Sequence, residues 1–179
     1  MANYTFKRDF TVKGIEALKK DLLNYKKNEL PRKCELLVKR LLDLGVTVSQ
    51  AKIDESPLGK YVTLTVDTSP REAGCKGLLI AKGQMLENEG YDAFSTILAI
   101  EFGAGIHYNE TPNPDALRLG FGVGTFPEQT HANEDMWFYW DEDKKEWHGS
   151  HGVKATMPMH SAKIQIIEFY MQIAKEVFG

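Results

Sequence analysis

The side chains best equipped for chemistry are histidines with acids near them. His131, His148, His151 and His160 lie toward the C-terminal end of the chain, two of them as His148-x-x-His151, with Asp141 and Asp143 close by in sequence. Imidazole nitrogens and carboxylate oxygens are the ligands of Zn²⁺ and similar cations, and such a set could support metal-dependent hydrolysis. The spacing is not HExxH, and irregular chain lacks the rigidity of a metal scaffold, so the four read first as loop residues and no metal is expected.

Other chemical motifs are incomplete. Glu101, within Ala99-Ile100-Glu101-Phe102-Gly103, is a candidate buried acid, but spacing places no partner carboxylate or histidine beside it. A hydrogen bond to nearby backbone, or to an arginine across a subunit contact, is its expected fate. Gly120-Phe121-Gly122-Val123-Gly124 has neither the GxGxxG of a dinucleotide loop nor the Gly-Lys-Ser/Thr ending of a phosphate loop. There is no GxSxG, and Cys34 and Cys75 sit in no metal or catalytic spacing, so both are expected to be free, buried thiols. No catalytic residue and no cofactor is expected.

The remaining distinctive side chains are aromatic. Met136-Trp137-Phe138-Tyr139-Trp140, a charged run from Asp141 to Lys145, and Glu146-Trp147-His148 have the pattern of a strand, a turn and a returning strand. Successive strand residues face opposite sides, so Trp137, Phe138, Tyr139, Trp140 and Trp147 cannot all enter one small core. Core packing and an interface with another protein are both open for them, tryptophan and tyrosine being enriched at binding hot spots.

The elements that must position these residues are legible in part. With 179 residues, 42% hydrophobic and 26% charged, the chain has the proportions of one ordinary folded domain, and residues 1–179 are read as such. Over residues 12–50, Ile15, Leu18, Leu22 and Tyr25 recur at helical steps. Pro31 there either opens a second helix or kinks a long one, and Gly45 is a possible stop. Residues 60–102 read as a sheet region: Val62, Leu64 and Val66 alternate with threonines, Asp67 to Gly74 is a turn holding Ser69-Pro70, and Cys75 to Ala81 is the next strand. Tyr91 to Phe102 fits helix or strand. Residues 103–156, broken by Gly and Pro, form a long loop carrying the aromatic hairpin, where function is sought. Residues 157–178 are a helix, with Ala162, Ile166, Phe169, Ile173 and Val177 on one stripe, Thr156 a possible cap and Pro158 in the first turn. The expected fold class is α+β, a small and mainly antiparallel sheet packed against N-terminal helices and a C-terminal helix.

The net charge of −3 is unevenly spread. Residues 1–60 hold 13 Lys+Arg against 8 Asp+Glu, a balance of +5, so the rest of the chain carries 9 against 17, or −8. An overall acidic balance argues against direct nucleic-acid binding. Charges near the start disfavour a secretory leader, and no apolar run approaches the length that spans a membrane.

At Ile100-Glu101-Phe102-Gly103-Ala104-Gly105-Ile106, and again at Gly152-Val153-Lys154-Ala155-Thr156-Met157-Pro158-Met159 ahead of the last helix, the chain resembles a family of minor structural proteins of tailed phages. These are the tail-component, head–tail joining and tail-completion proteins of siphophages and prophages. Glu101, Phe102, Gly103, Gly105, Gly152 and Pro158 carry the likeness; Ala104 stands where threonine is common, and Met157 and Met159 where Pro-Phe or Phe-Leu types often lie. The resemblance implies an α+β fold, no enzymatic activity, and assembly as a homo-oligomeric ring. It implies partners among the neck or tail proteins, and a place in the virion after synthesis in the bacterial cytoplasm. A prophage metal-dependent hydrolase using the histidines, and a cytoplasmic binding module, are the alternative readings.

Overall fold

The Thr11 hydroxyl accepts a hydrogen bond from the Gly14 amide at 3.1 Å, and this cap begins helix α1 (Val12–Asn24). In the computed structural model, which describes residues 5–72, 74–86, 94–126, 129, 131–141 and 144–179, the helical path does not stop at Pro31. A single widened turn, Tyr25–Glu29, leads directly into α2 (Leu30–Asp54). Pro31 lacks an N–H and its ring crowds the carbonyl four residues back; a wider turn just before it relieves both demands. Nor does Gly45 end the helix. Its propensity cost is about 1 kcal/mol, and the turns beyond it bury Ser49 and Ile53.

The fold is α+β. After a short 3₁₀ turn at Gly59–Tyr61 come β1 (Val62–Arg71) and β2 (Gly74–Gly83), paired as a two-stranded sheet. Ser69 and Pro70, expected in the turn, lie in β1. In a ribbon of two strands each has an outer edge, where a proline costs no ladder bond. Val62 is buried and Leu64 half-buried as the alternation requires, whereas Val66 is exposed. β3 (Met85–Leu86) pairs antiparallel with β4 (Phe94–Ser95), which leads into α3 (Thr96–Phe102). The stretch that fitted helix or strand is thus a little of both where it is described; residues 91–93 lie outside the described residues. α3 buries five of its seven residues, and a helix covered all round shows no apolar stripe to read.

Beyond α3 the described chain is irregular apart from a 3₁₀ turn at Leu117–Leu119 and the hairpin β5 (Trp137–Asp141) and β6 (Glu146–Ser150). α4 (Pro158–Phe178) closes the chain. Among the described residues no helix is long and apolar enough to cross a membrane.

The chain divides into two compact units. The first consists of the residues up to Leu44, Val66–Leu79 and Ile166–Gly179. Within it Gly77 of β2 lies close against Val38 and Leu42 of α2, Arg40 pairs with Glu176 at 3.0 Å, and the N-terminal Arg8 bonds Asp21 of α1. Val177 is buried, but α1 has no buried residue at all. The second unit, Gly45–Thr65 with Ile80–Gln165, holds two apolar clusters. Phe102, Ala99, Ala104, Ala116 and Phe126 form one, and Ile53, Val62 and Ile100 the other. Burying an aliphatic or aromatic side chain contributes about 1.5–3 kcal/mol, so α3, which feeds both clusters, anchors this unit. Cys34 and Cys75 are free and half-buried.

Candidate functional site

The two sequence segments that carry the phage-protein resemblance meet in space. Ala104 and Val153 form an isolated antiparallel bridge, each amide donating to the other's carbonyl at 2.8 and 2.9 Å. Thr156 and Met157 amides both donate to the Ile100 carbonyl. The Glu101 carboxylate, buried, accepts from the amides of Met159 at 2.8 Å and His160 at 3.0 Å, and so caps α4. A carboxylate suits this position because the first amides of a helix lack internal acceptors and the helix end is partially positive. Of the two fates expected for Glu101, the bond to backbone is realised, though to backbone 58 residues away in sequence. Thr156, expected as the cap, leaves its hydroxyl buried without a hydrogen-bond partner.

Two asparagines that drew no attention as sequence complete this junction. Asn113, buried, donates its amide to the Glu101 backbone carbonyl at 3.0 Å and to its carboxylate at 2.9 Å. Asn109, also buried, donates to the carbonyls of Gly105 and Val153 and accepts from the Ala155 amide at 2.8 Å. They supply what the irregular backbone cannot, since buried carbonyls and amides without a ladder need side-chain partners. Their signal was two buried-polar residues in a Gly- and Pro-rich stretch, indistinguishable in sequence from turn formers. Phe102 and Phe121 pack edge to face at 4.9 Å beneath them.

Asp115, Lys163 and His160 form a second polar group. Lys163 Nζ lies 2.9 Å from both carboxylate oxygens of Asp115, and His160 Nδ1 lies 2.9 Å from one. The hydrogen bond from Lys163, then that from His160, lower the Asp115 pKa to about 2. A depressed carboxylate pKa stabilises the fold above its unfolded value near 3.8 and loses that contribution as pH falls toward about 2. Denaturant unfolding at successive pH values should therefore show stability declining over this window, and Asp115→Asn should remove that part of the slope. Parallel curves for the two proteins would exclude this ion pair as the source.

The histidines do not converge. His131 Nδ1 lies 2.9 Å from Glu134, His148 Nε2 lies 3.0 Å from Glu146, His151 Nδ1 lies 2.7 Å from the Asp135 carbonyl, and His160 belongs to the Asp115 group. Among the described residues no three His, Cys, Asp or Glu side chains are placed to hold a metal ion. Asp143 and the side chain of Asp141 lie outside the described residues.

The aromatic hairpin is divided by its two faces. Register pairs Trp137 with Ser150, Phe138 with Gly149, Tyr139 with His148 and Trp140 with Trp147. Trp137 stacks on the His131 ring, nearly parallel at 6.2 Å, and its ring edge lies against Gly105. On the other face Phe138 is 57% exposed and Trp147 61% exposed, with Met136 beside Phe138 over the bare Gly149. The cluster is divided: Trp137 fastens the hairpin, and Phe138 and Trp147 are largely exposed. The side chains of Tyr139 and Trp140 lie outside the described residues. The first unit presents a comparable surface on α1, where Ile15, Leu22 and Leu23 are each about half exposed.

No family model, no curated protein and no solved structure matches this chain.

Proposed function

We propose that the protein is a non-enzymatic structural component of a phage or prophage particle. In this reading it is a head–tail connector or tail-completion protein that works by assembling into a homo-oligomeric ring and contacting neighbouring neck or tail proteins. The observation that carries the assembly part is α1: a 13-residue helix with an apolar stripe and no buried residue. α1 is the start of a helical path that continues into α2, yet its stripe is left uncovered, and an amphipathic helix draws its stability from covering that stripe. Such a face, together with exposed Phe138 and Trp147, suits a chain that finishes burying its apolar surface on other proteins. The phage assignment rests on the two motif segments. Their residues Glu101, Gly103, Gly152 and Pro158 belong to one junction, so the likeness follows a structural unit rather than scattered matches.

The test is the composition of the particles. Phage particles induced from a host encoding the chain, purified by density gradient and analysed by mass spectrometry, should contain the protein in several copies each. Its presence in the lysate but absence from intact particles would overturn the reading.

A further inference from the structure

We infer that Cys34 and Cys75 are a redox-sensitive pair, whose thiols close to an intramolecular disulfide that ties α2 to β2 within the first unit. The pairing is independent of the assembly reading above. Both thiols are free and half-buried, and both lie on the faces by which the helix and the strand meet. Burial alternates along β2, so that Cys75, Gly77 and Leu79 are half-buried while Lys76 and Leu78 are exposed. On α2, Cys34 precedes Val38 by one turn and Val38 precedes Leu42 by another, a single line at helical spacing. Gly77 joins the two faces. A Cβ there would lie 2.6 Å from Val38 and 3.0 Å from Leu42, so the strand comes closer to the helix than a side chain at that position would allow. A disulfide needs such an approach, since it bridges Cα atoms no more than about 7 Å apart.

The two cysteines also sit at one level. β2 and α2 advance in the same sense, because Ala81, beyond Gly77 on the strand, packs on the cluster that holds Ile53, beyond Leu42 on the helix. Two residues back along the strand from Gly77 cover about 7 Å. On a helix the same distance is between about four and five residues, which leads from the Val38 and Leu42 contact to the turn that begins at Cys34. Lys39 agrees with this placement. Its pKa is raised first by the hydrogen bond and charge of Glu35 and, to a smaller degree, by the charge of Cys75, whose sulfur therefore lies near this part of α2. The Cys75 thiol is only weakly held where it is, by a 3.8 Å contact with the Lys76 carbonyl that a side-chain rotation gives up.

The oxidant is a small-molecule disulfide such as glutathione disulfide. One cysteine attacks it as the thiolate, forming a mixed disulfide and expelling a glutathione thiolate; the second cysteine attacks the protein sulfur of that bond and expels the other. Two electrons pass to the oxidant, the two thiol protons end on the two released glutathiones, and one S–S bond replaces two S–H bonds. Joining these distant positions removes freedom from the unfolded chain, so the oxidised first unit resists unfolding more than the reduced one.

The full chain, equilibrated in native buffer with mixtures of glutathione and glutathione disulfide and then blocked with iodoacetamide, tests this by intact mass and peptide mapping. The expected product is a monomer lacking two hydrogens, with one peptide pair joining Cys34 to Cys75. In urea the same equilibrium should favour the link at least about tenfold less, because only the folded chain holds the two thiols together. Cys34→Ser and Cys75→Ser should each stop at a mixed disulfide with glutathione, and oxidation should raise the melting temperature of the unaltered chain but of neither variant. Two separate glutathione adducts, disulfide-linked dimers, thiols that stay reduced when glutathione disulfide predominates, or an equilibrium equally favourable in urea would each overturn the pairing. None of these results bears on the particle measurement, which decides the functional reading separately.

Discussion

Replacing Glu101 with alanine is expected to destabilise the second unit by about 3 kcal/mol, a large share of a typical domain's total stability. The amides of Met159 and His160 lose their acceptor, and the Asn113 side-chain amide loses one of its two, keeping the Glu101 backbone carbonyl. Each stranded buried donor costs about 1–3 kcal/mol, and loss of a helix cap about 1; partial access of water after truncation keeps the sum near the lower end. Glu101→Gln retains one oxygen and loses the negative charge at the helix end, so it should cost about half as much. All three tryptophans lie in this unit, and urea unfolding followed by their fluorescence reads it directly. A Glu101→Ala variant within about 0.5 kcal/mol of the unaltered chain, the range of ordinary surface changes, would show that the cap contributes nothing.

Gly152→Ala should do comparable damage by a different route. Gly152 has φ +129°, which side-chain-bearing residues rarely adopt, and a Cβ there would lie 2.0 Å from the Ala104 carbonyl oxygen. Backbone strain of about 1–3 kcal/mol combines with a clash that only main-chain movement can relieve. That carbonyl accepts from Val153, so the bridge between the two motif segments opens with it. Gly120 provides the control. It also has positive φ, +77°, but its would-be Cβ meets nothing within 4 Å. Gly120→Ala should therefore cost only the conformational part, about 1 kcal/mol. Equal losses at the two positions in the same unfolding experiment would remove the close approach from the explanation.

What could be read from sequence was local. The hairpin was legible because aromatic strands flank a charged turn, and α4 because its apolar stripe repeats over about four turns from Ala162 to Val177. Ser69-Pro70 misled because a proline signals a turn by itself, while its tolerance at a ribbon edge depends on which strands pair. The cap of α4 was illegible for a deeper reason: Thr156 sat where a local cap belongs, but the acceptor came from Glu101, which only tertiary structure brings near. Asn109 and Asn113 are of the same kind. Their roles consist entirely of partners distant in the chain, and no spacing encodes that. The likeness at Glu101-Phe102-Gly103 and at Gly152 to Pro158 registered these positions without their physical content, which is mutual: one segment caps and brackets the other.

The composition of the first unit bears on how the chain is made. α1 and the first part of α2 share it with Ile166–Gly179, and Arg40 bonds Glu176 across the interval between them. On a translating ribosome the second unit's segments, Gly45–Thr65 and Ile80–Gln165, are all made before Ile166–Gly179. α1 and the first part of α2 then wait for Ile166–Gly179, with Leu22 and Leu23 uncovered throughout. For this unit, order of synthesis and order of closing are opposed, and a chain stopped just after Gln165 would leave α1 and the first part of α2 without the segment that completes them.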